Sequence, residues 1–246
     1  MRHLLFSAAE PAATEPITFT PEFKLFSKFA EMERFDWLLF VIGAVILILA
    51  AVFVVRYRKK DKAEEAAQAL PARKNTVKAL VYGAMCLAIA FVLSYVKLFS
   101  LGFGGSITLC SMLPIMVYAY WYGPKHGLTA AFAYSLLQII QGVSFYHWVQ
   151  FILDYFLAFT ALGLAGFFKK SLPLGVLVSG LARIVFSVIS GAVFFGEYGA
   201  YYGLGAWGYS ILYNGIMTIG PELVLCLILA VLPPFKRVVD RMRPKA

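Results

Sequence analysis

Charged residues are scarce in this chain, because Asp, Glu, Lys and Arg make up only 14% of its 246 residues. A soluble domain carries roughly 25%. Hydrophobic residues make up 61%, and the mean hydropathy is +0.78. This composition excludes an ordinary soluble domain and predicts an integral membrane protein.

Cysteine and histidine are also few, with three of each. Cys86, Cys110 and Cys226 lie in separate apolar segments without a CxxC pair, so we expect small buried side chains and no disulfide framework. His126 and His147 flank one apolar run at its opposite ends and cannot share a metal ion. The sequence therefore predicts no metal site.

A phosphate-binding P-loop is absent, since no GxxxxGK[ST] segment occurs. The chain therefore has no such loop to hold ATP, and we expect it to carry no cofactor of its own. Its formal net charge of +9 comes from basic residues that lie between the apolar runs. There they determine orientation in the lipid bilayer, so we expect no binding to nucleic acid.

Apolar runs long enough to cross a membrane are abundant. The run at 37–55 contains no charge, begins late and ends at RYRKKDK, which predicts a transmembrane helix and not a cleaved signal peptide. Gly, Pro and Lys residues separate six further runs, of which the second and third are short. These six are at about 77–98, 107–122, 126–142, 148–168, 173–195 and 209–235.

The basic loops predict the topology. Placing the Lys- and Arg-rich loops in the cytoplasm puts the N-terminus outside and the C-terminus inside the cell. The predicted fold is an all-α, multi-pass membrane protein with a six-helix bundle preceded by one extra helix. Its parts are an extracellular tail at 1–36, the extra helix at 37–55, a basic linker at 56–76, the six-helix domain at 77–235 and a basic cytoplasmic tail at 236–246.

Asp154 is a carboxylate inside the apolar segment VQFILDYFLAFTALGLAGFF at 149–168. It lies roughly 9 Å below the outer end of that helix at 1.5 Å per residue. An acid at such a depth needs a partner or a wet cavity and indicates a functional site, although a structural pairing with Arg183 or a helix-capping role stays open. Because Arg183 lies deeper, we assign it to a structural pair with Glu222.

Small and polar residues fall in the same outer third of the membrane. Ser187, Gly191 and Phe195 share one helix face at i, i+4, i+8 spacing, where the glycine admits either a close-packed helix or a flat ligand. Tyr209 and Asn214 open the last run. The tyrosine alone is typical of a membrane-interface residue, whereas a buried asparagine amide needs hydrogen-bond partners.

Aromatic residues crowd the predicted outer loops. Most are expected to anchor the chain at the membrane interface, but around a buried acid they also provide faces for a planar cation. They are Phe103, Phe145, Tyr146, Trp148, Tyr198, Tyr201, Tyr202 and Trp207. The pattern predicts a pocket for a planar, positively charged small molecule.

Four ordered motifs are GGSITL at 104–109, LDYFLAFTALGLAG at 153–166, ISGAVFFG at 189–196 and YSILYNG at 209–215. Together they resemble the thiamine-specific substrate-binding subunit (S component, the ThiT family) of energy-coupling factor (ECF) vitamin transporters. The likeness covers about residues 75–240. It implies a six-helix subunit that binds thiamine from outside and works with a transmembrane coupling protein and two cytoplasmic ATPases, which use the ATP.

The resemblance also assigns residues. It implies a set of ligand contacts that we complete with neighbouring loop residues: Gly105, Tyr146, Trp148, Asp154, Tyr155, Ser187, Gly191, Phe195, Tyr209 and Asn214. Ser187 stands where the family commonly has histidine, so a thiamine precursor or a related heterocycle remains an alternative ligand. Ala84 and Ala88 resemble the docking surface for the coupling protein, although sequence alone would assign them to ordinary helix packing.

Two other classes of function stay open. A self-sufficient secondary transporter would usually show inverted repeats, and none is clear in this sequence. An intramembrane enzyme is suggested only by Ser106, which follows two glycines without a well-placed histidine, His147 being remote. We therefore expect no enzyme activity.

Overall fold

The computed structural model describes residues 72–101, 105–143 and 146–244. Within these ranges the chain is a helical bundle in which a short antiparallel hairpin, β1 (Lys97–Ser100) and β2 (Ser106–Thr108), joins the first two helices. The helices are α1 (Ala72–Tyr95), α2 (Leu113–Tyr122), α3 (Pro124–Gln141), α4 (Trp148–Phe167), α5 (Leu172–Phe194), α6 (Ala206–Val231) and α7 (Pro233–Met242).

Four of these helices are long and apolar enough to cross a membrane, namely α1 over Val77–Tyr95, α4, α5 and α6. The second and third predicted runs are indeed short, since α2 has 10 residues and α3 has 18. The chain is therefore a mostly helical, multi-pass membrane protein, which confirms the predicted fold class apart from the short hairpin. The predicted span at 37–55, the tail before it and most of the basic linker lie outside the described residues.

The core is centred on α2. Its sequence LPIMVYAYWY is apolar on every side, and a helix of that kind belongs in the interior. Ile115, Met116 and Ala119 are completely buried, and α2 contacts α1, α3, α4 and α5. The cysteines are buried as predicted, which agrees with their interpretation as small apolar side chains.

Glycines allow α3 and α4 to pack backbone against backbone. A Cβ atom at Gly163 would lie 2.6 Å from Cα of Leu128, and one at Gly166 would lie 2.6 Å from the backbone nitrogen of Pro124. Such small-residue contacts are the common way in which membrane helices approach closely. They fix the wall of the bundle from which α4 projects its polar residues.

Two predicted boundaries differ from the structure. The run at 107–122 begins as β2 and a turn in which Cys110 has a φ of 54°, and its helix starts only at Leu113. The run at 209–235 ends at Val231, because Pro233 and Pro234 cannot continue a helix.

Residues 236–242, which were predicted only as part of a basic tail, belong to α7. This helix is attached to the bundle, since Trp121 Nε1 donates to the carbonyl oxygen of Val239 at 3.0 Å and the Tyr120 hydroxyl donates to Asp240 Oδ1 at 3.1 Å. Arg243 donates to the carbonyl oxygen of Lys169 at 3.1 Å. The segment after α6 is therefore part of the folded bundle.

Candidate functional site

A cavity of about 290 Å³ lies between the β1–β2 hairpin and the helices of the bundle. Its volume is at the lower limit of small-molecule pockets, which span roughly 300–1,000 Å³. Eight of the ten predicted ligand contacts line it: Gly105, Asp154, Tyr155, Ser187, Gly191, Phe195, Tyr209 and Asn214. The structure thus brings residues from the hairpin, α4, α5 and α6 to one place.

Asp154 is held by two neutral donors. Its Oδ2 accepts hydrogen bonds from Gln150 Nε2 and from Ser190 Oγ, both at 2.8 Å. Its Oδ1 accepts none from the residues that the structure describes, and no described cation lies within 4.0 Å of the carboxylate. The alternative pairing with Arg183 is therefore not formed, and one carboxylate oxygen is available to a ligand.

Charge inside the cavity is uneven. Four charged side chains line it: Lys97, Asp154, Arg183 and Glu222. Arg183 and Glu222 compensate each other, and Lys97 is exposed at β1. Asp154 is accordingly the uncompensated charge among the buried part of the described lining, which favours a cationic ligand.

Both walls that carry the predicted contacts leave the ordinary α-helical geometry. Asp154 and Tyr155 lie in a π-helical stretch, Ile152–Leu157, and Asn214 lies in a second one, Ile211–Thr218. A π-turn places one more residue in each turn and is frequent at functional sites. Asp154, Tyr155 and Asn214 in these two stretches all line the cavity.

Helices α5 and α6 approach closely beside the cavity. Asn214 Nδ2 donates to the carbonyl oxygen of Ser187 and to Ser210 Oγ, both at 3.2 Å. A Cβ atom at Gly191 would lie 2.6 Å from that Nδ2. Gly191 thus lines the cavity and also permits the close helix packing that was its alternative interpretation.

A stack of tyrosines forms one side of the cavity. The ring of Tyr209 lies 5.8 Å from that of Tyr202 and 5.9 Å from that of Tyr213, with planes 17° and 22° apart. Tyr209 is only 6% exposed, so it is not the interfacial residue that its sequence position alone suggests. The backbone N–H of Gly105 donates to the Tyr213 hydroxyl at 3.0 Å, which ties the hairpin to this stack.

The far end of the cavity contains the predicted ion pair. Arg183 Nη1 lies 4.0 Å from Glu222 Oε2, and Glu222 Oε1 accepts from Thr108 Oγ1 at 2.6 Å and from Ser111 Oγ at 2.9 Å. The pairing is confirmed. The sequence interpretation treated it as purely structural, however, whereas all four side chains line the cavity.

A family model described as "Thiamine transporter protein" matches residues 80–240. The chain belongs to this thiamine transporter family. The thiamine transporter ThiT of Bacillus subtilis (strain 168) is 34% identical over 168 residues, which cover 61% of this chain and 86% of that protein. A solved structure of ThiT from Listeria monocytogenes matches with a TM-score of 0.58 and 27% identity, covering 67% of this chain and 98% of the other.

These matches confirm the resemblance that the four motifs indicated, and the relatives are named as transporters. The family match begins at residue 80, so the predicted span at 37–55 lies outside it. The thiamine transporter family thus accounts for the six-run part of this chain.

Two of the predicted ligand contacts, Tyr146 and Trp148, lie outside the cavity lining. Tyr146 is 52% exposed and Trp148 is 62% exposed. The Tyr146 ring packs edge-on against the Phe195 ring at 5.2 Å, so it stands beside the lining without joining it. That Tyr146 and Trp148 contact the ligand stays a prediction, and their exposed positions outside the cavity lining do not support it.

His147 and Ser106 do not form an enzyme-like pair in this thiamine transporter family member. His147 Nδ1 accepts from the backbone N–H of Val149 at 3.1 Å, and its ring packs on Phe194 at 5.1 Å. These contacts make the histidine the cap of α4. Ser106 lines the cavity as part of β2.

Ala84 and Ala88 are exposed on α1, beside the exposed side chains of Val81 and Met85. The alternative of ordinary packing inside the bundle therefore does not apply among the described residues. Docking of a coupling protein there stays a prediction.

Tyr198, one of the aromatic residues predicted around the buried acid, lines the cavity, whereas Tyr213 and Gln150 were missed as site residues. Tyr213 follows Tyr209 by four residues, and Gln150 precedes Asp154 by four. On a helix this spacing places side chains on one face, so it is the signal by which both could have been found.

Proposed function

We propose that this chain binds thiamine in the described cavity and acts as the substrate-binding membrane subunit of an ATP-driven, ECF-type vitamin importer. The observation that carries the proposal is the open carboxylate oxygen of Asp154, beside a tyrosine stack, in a vitamin-sized cavity of a thiamine transporter family member. A planar cationic vitamin satisfies the charge and offers flat surfaces to the aromatic rings.

The chemistry of thiamine fits the lining. Its thiazolium ring is a cation, and a cation over an aromatic face is worth about 0.5–2 kcal/mol, more where water is excluded. Phe195 and Tyr209 offer such faces, and Asp154 offers an opposite charge to the thiazolium or an acceptor to the amino group of the pyrimidine. Asn214 Nδ2 donates to the carbonyl oxygen of Ser187 and to Ser210 Oγ. The side-chain carbonyl oxygen of Asn214 is therefore the atom that can accept a hydrogen bond from the ligand.

The energy for uptake would come from partner subunits. This sequence has no P-loop, so ATP would be hydrolysed by two cytoplasmic ATPases joined through a transmembrane coupling protein. The small residues Ala84 and Ala88 are exposed four positions apart on α1, where such a coupling protein would dock. The cavity would load from outside, with the N-terminus outside and the C-terminus in the cytoplasm, and the loaded subunit would deliver the vitamin inward.

A thiamine precursor or a related heterocycle is the second candidate ligand. It is favoured by Ser187, whose short hydroxyl side chain lines the cavity and donates no hydrogen bond to a described residue. A histidine at this position would fill more of the space and offer a ring nitrogen. The smaller side chain changes the shape available to the ligand.

The test is equilibrium binding of thiamine to the full chain in detergent, followed through its four tryptophans. Asp154→Asn keeps the side-chain size and removes the charge, so we expect at least roughly a 30-fold loss of affinity. Glu197→Gln is the matched control, because it removes an exposed carboxylate from the nearby 3₁₀ turn at Gly196–Tyr202.

The same measurement separates the alternatives. Riboflavin and biotin serve as unrelated vitamins and are expected not to bind. A folded chain that binds no thiamine would refute the assignment, and tighter binding of a pyrimidine or thiazole precursor would favour the second ligand class. Thiamine uptake by cells that express this chain without ATPase partners would instead identify a self-sufficient transporter.

A further inference from the structure

The Arg183–Glu222 end of the cavity carries hydrogen-bonding capacity that the protein does not use. Arg183 Nε and Nη1 are buried and donate no hydrogen bond to any residue in the described part of the chain. The Nη1 to Oε2 distance of 4.0 Å is too long for a hydrogen bond. Buried polar groups normally find partners, so these donors point to a ligand group that accepts hydrogen bonds.

Glu222 is the complementary acceptor at this end. It is 2% exposed, and Thr108 and Ser111 both donate to its Oε1. Its Oε2 is the oxygen that faces Arg183. These contacts hold the carboxylate so that Oε1 is hydrogen-bonded within the protein and Oε2 lies beside the guanidinium group of Arg183.

The arginine is also fixed in place. Its guanidinium carbon lies 4.3 Å above the centre of the Phe159 ring, which orients the plane of the group. Arg183 and Ser187 are one turn apart on the cavity-facing side of α5, so the short serine leaves the guanidinium accessible from the middle of the cavity. Gln138, which also lines the cavity, adds a buried Nε2 without a described partner.

The charge of this end selects the class of ligand group. One guanidinium and one carboxylate cancel, so neither a phosphate nor a second cation is favoured here. Donors next to an acceptor instead fit a neutral ring edge that places an acceptor nitrogen beside an amino group. An aminopyrimidine has such an edge.

We propose that Arg183 and Glu222 are specificity-determining residues that bind the donor–acceptor edge of the ligand's aminopyrimidine ring. Arg183 donates to a ring nitrogen, and Glu222 Oε2 accepts from the adjacent amino group. Asp154 is then left to face the cationic ring. This inference rests on the proposed thiamine function and deepens it by assigning the two halves of the vitamin to two ends of the cavity.

The experiment compares thiamine with oxythiamine, in which an oxo group replaces the amino group and reverses the donor–acceptor order of the edge. The measured quantity is the ratio of the two dissociation constants for the full chain in detergent. We expect the unaltered chain to prefer thiamine by at least about 100-fold, because a buried polar site rejects a ligand that leaves its groups unpaired. Glu222→Gln, whose amide can donate to the oxo group, should lower this ratio by at least about tenfold.

Two further variants separate recognition from folding. Arg183→Gln with Glu222→Gln removes both charges together, which avoids leaving one buried charge unpaired, and should lower the ratio similarly. Asp154→Asn should weaken both ligands by a similar factor and leave the ratio unchanged, because both carry the cationic ring. Size-exclusion profiles and unfolding temperatures identify folded variants.

The outcomes are distinct. Equal affinity of the unaltered chain for the two compounds, or a ratio that folded Glu222 variants leave unchanged, would overturn the inference while thiamine binding stands. If the ion pair were purely structural, the Glu222 variants would lower the affinity for thiamine and for oxythiamine by the same factor. Failure of the folded, unaltered chain to bind either compound would overturn the proposed function and this inference together.

Discussion

Gly191 of α5 is the position where one added methyl group tests the close approach of α5 and α6. A Cβ atom there would lie 2.6 Å from Asn214 Nδ2 and nearer still to Ser210 Oγ. Ordinary contact begins at 3.4 Å, so the first distance is about 0.8 Å too short. Gly191→Ala must therefore either separate the helices or turn Asn214 away from its two acceptors.

The cost follows from those contacts. Loss of the two hydrogen bonds from Asn214 at about 0.5–1.5 kcal/mol each gives about 1–3 kcal/mol of destabilisation, which is also the range for overpacking a core. Because Asn214 lines the cavity, we expect thiamine affinity to fall along with stability.

The assay is thermal unfolding in detergent at one fixed scan rate, together with thiamine titration. Gly208→Ala is the matched control, since the nearest atom to a Cβ there is 3.8 Å away. An alanine without a clash stabilises a helix by about 0.4–1 kcal/mol relative to glycine. If Gly191→Ala unfolds at the same temperature as Gly208→Ala and binds thiamine normally, the close approach of α5 and α6 is refuted.

Three further substitutions test other contacts. Tyr213→Phe removes the hydroxyl that accepts from the backbone N–H of Gly105. Thiamine should then dissociate about 2–10-fold faster in stopped-flow fluorescence. An unchanged dissociation rate would show that the hairpin does not restrain the ligand. Thr108→Val removes one of two donors to Glu222 and should lower stability by about 1–2 kcal/mol, which an unaltered unfolding temperature would contradict. Trp121→Phe removes a hydrogen bond to α7, so amides of α7 should exchange faster with deuterium, and equal protection would contradict this attachment.

The long helices were predictable because an apolar run of about 20 residues has few structures other than a membrane span. The run at 173–195 corresponds to α5 at Leu172–Phe194, and the run at 148–168 to α4 at Trp148–Phe167. The β1–β2 hairpin was not predicted, because its three- and four-residue strands are too short to show an alternating pattern.

The site was predictable only in part. Asp154 was found because an acid is costly inside a membrane, and Asn214 because a buried amide needs partners. The cavity lining by Arg183 and Glu222 was missed, since pairing and ligand contact give the same sequence signal. Whether such a side chain faces the cavity depends on the rotation of its helix about the helix axis. That rotation depends on π-turns, which no residue pattern in this chain predicts.

Because α6 contains the π-helical stretch Ile211–Thr218, the number of residues in that stretch determines which side chains of α6 line the cavity. Each residue of an α-helix turns the chain by about 100°. If the winding of α6 were kept, one residue fewer in Ile211–Thr218 would rotate everything after it by roughly that angle. Glu222 would then turn away from Thr108 and Ser111, although its identity and the motif before it were unchanged. A related chain with the same residues and one deletion here would present a different set of groups to its ligand. Under the proposed role of Glu222, the spacing between the YSILYNG motif and this acid would then be a determinant of specificity.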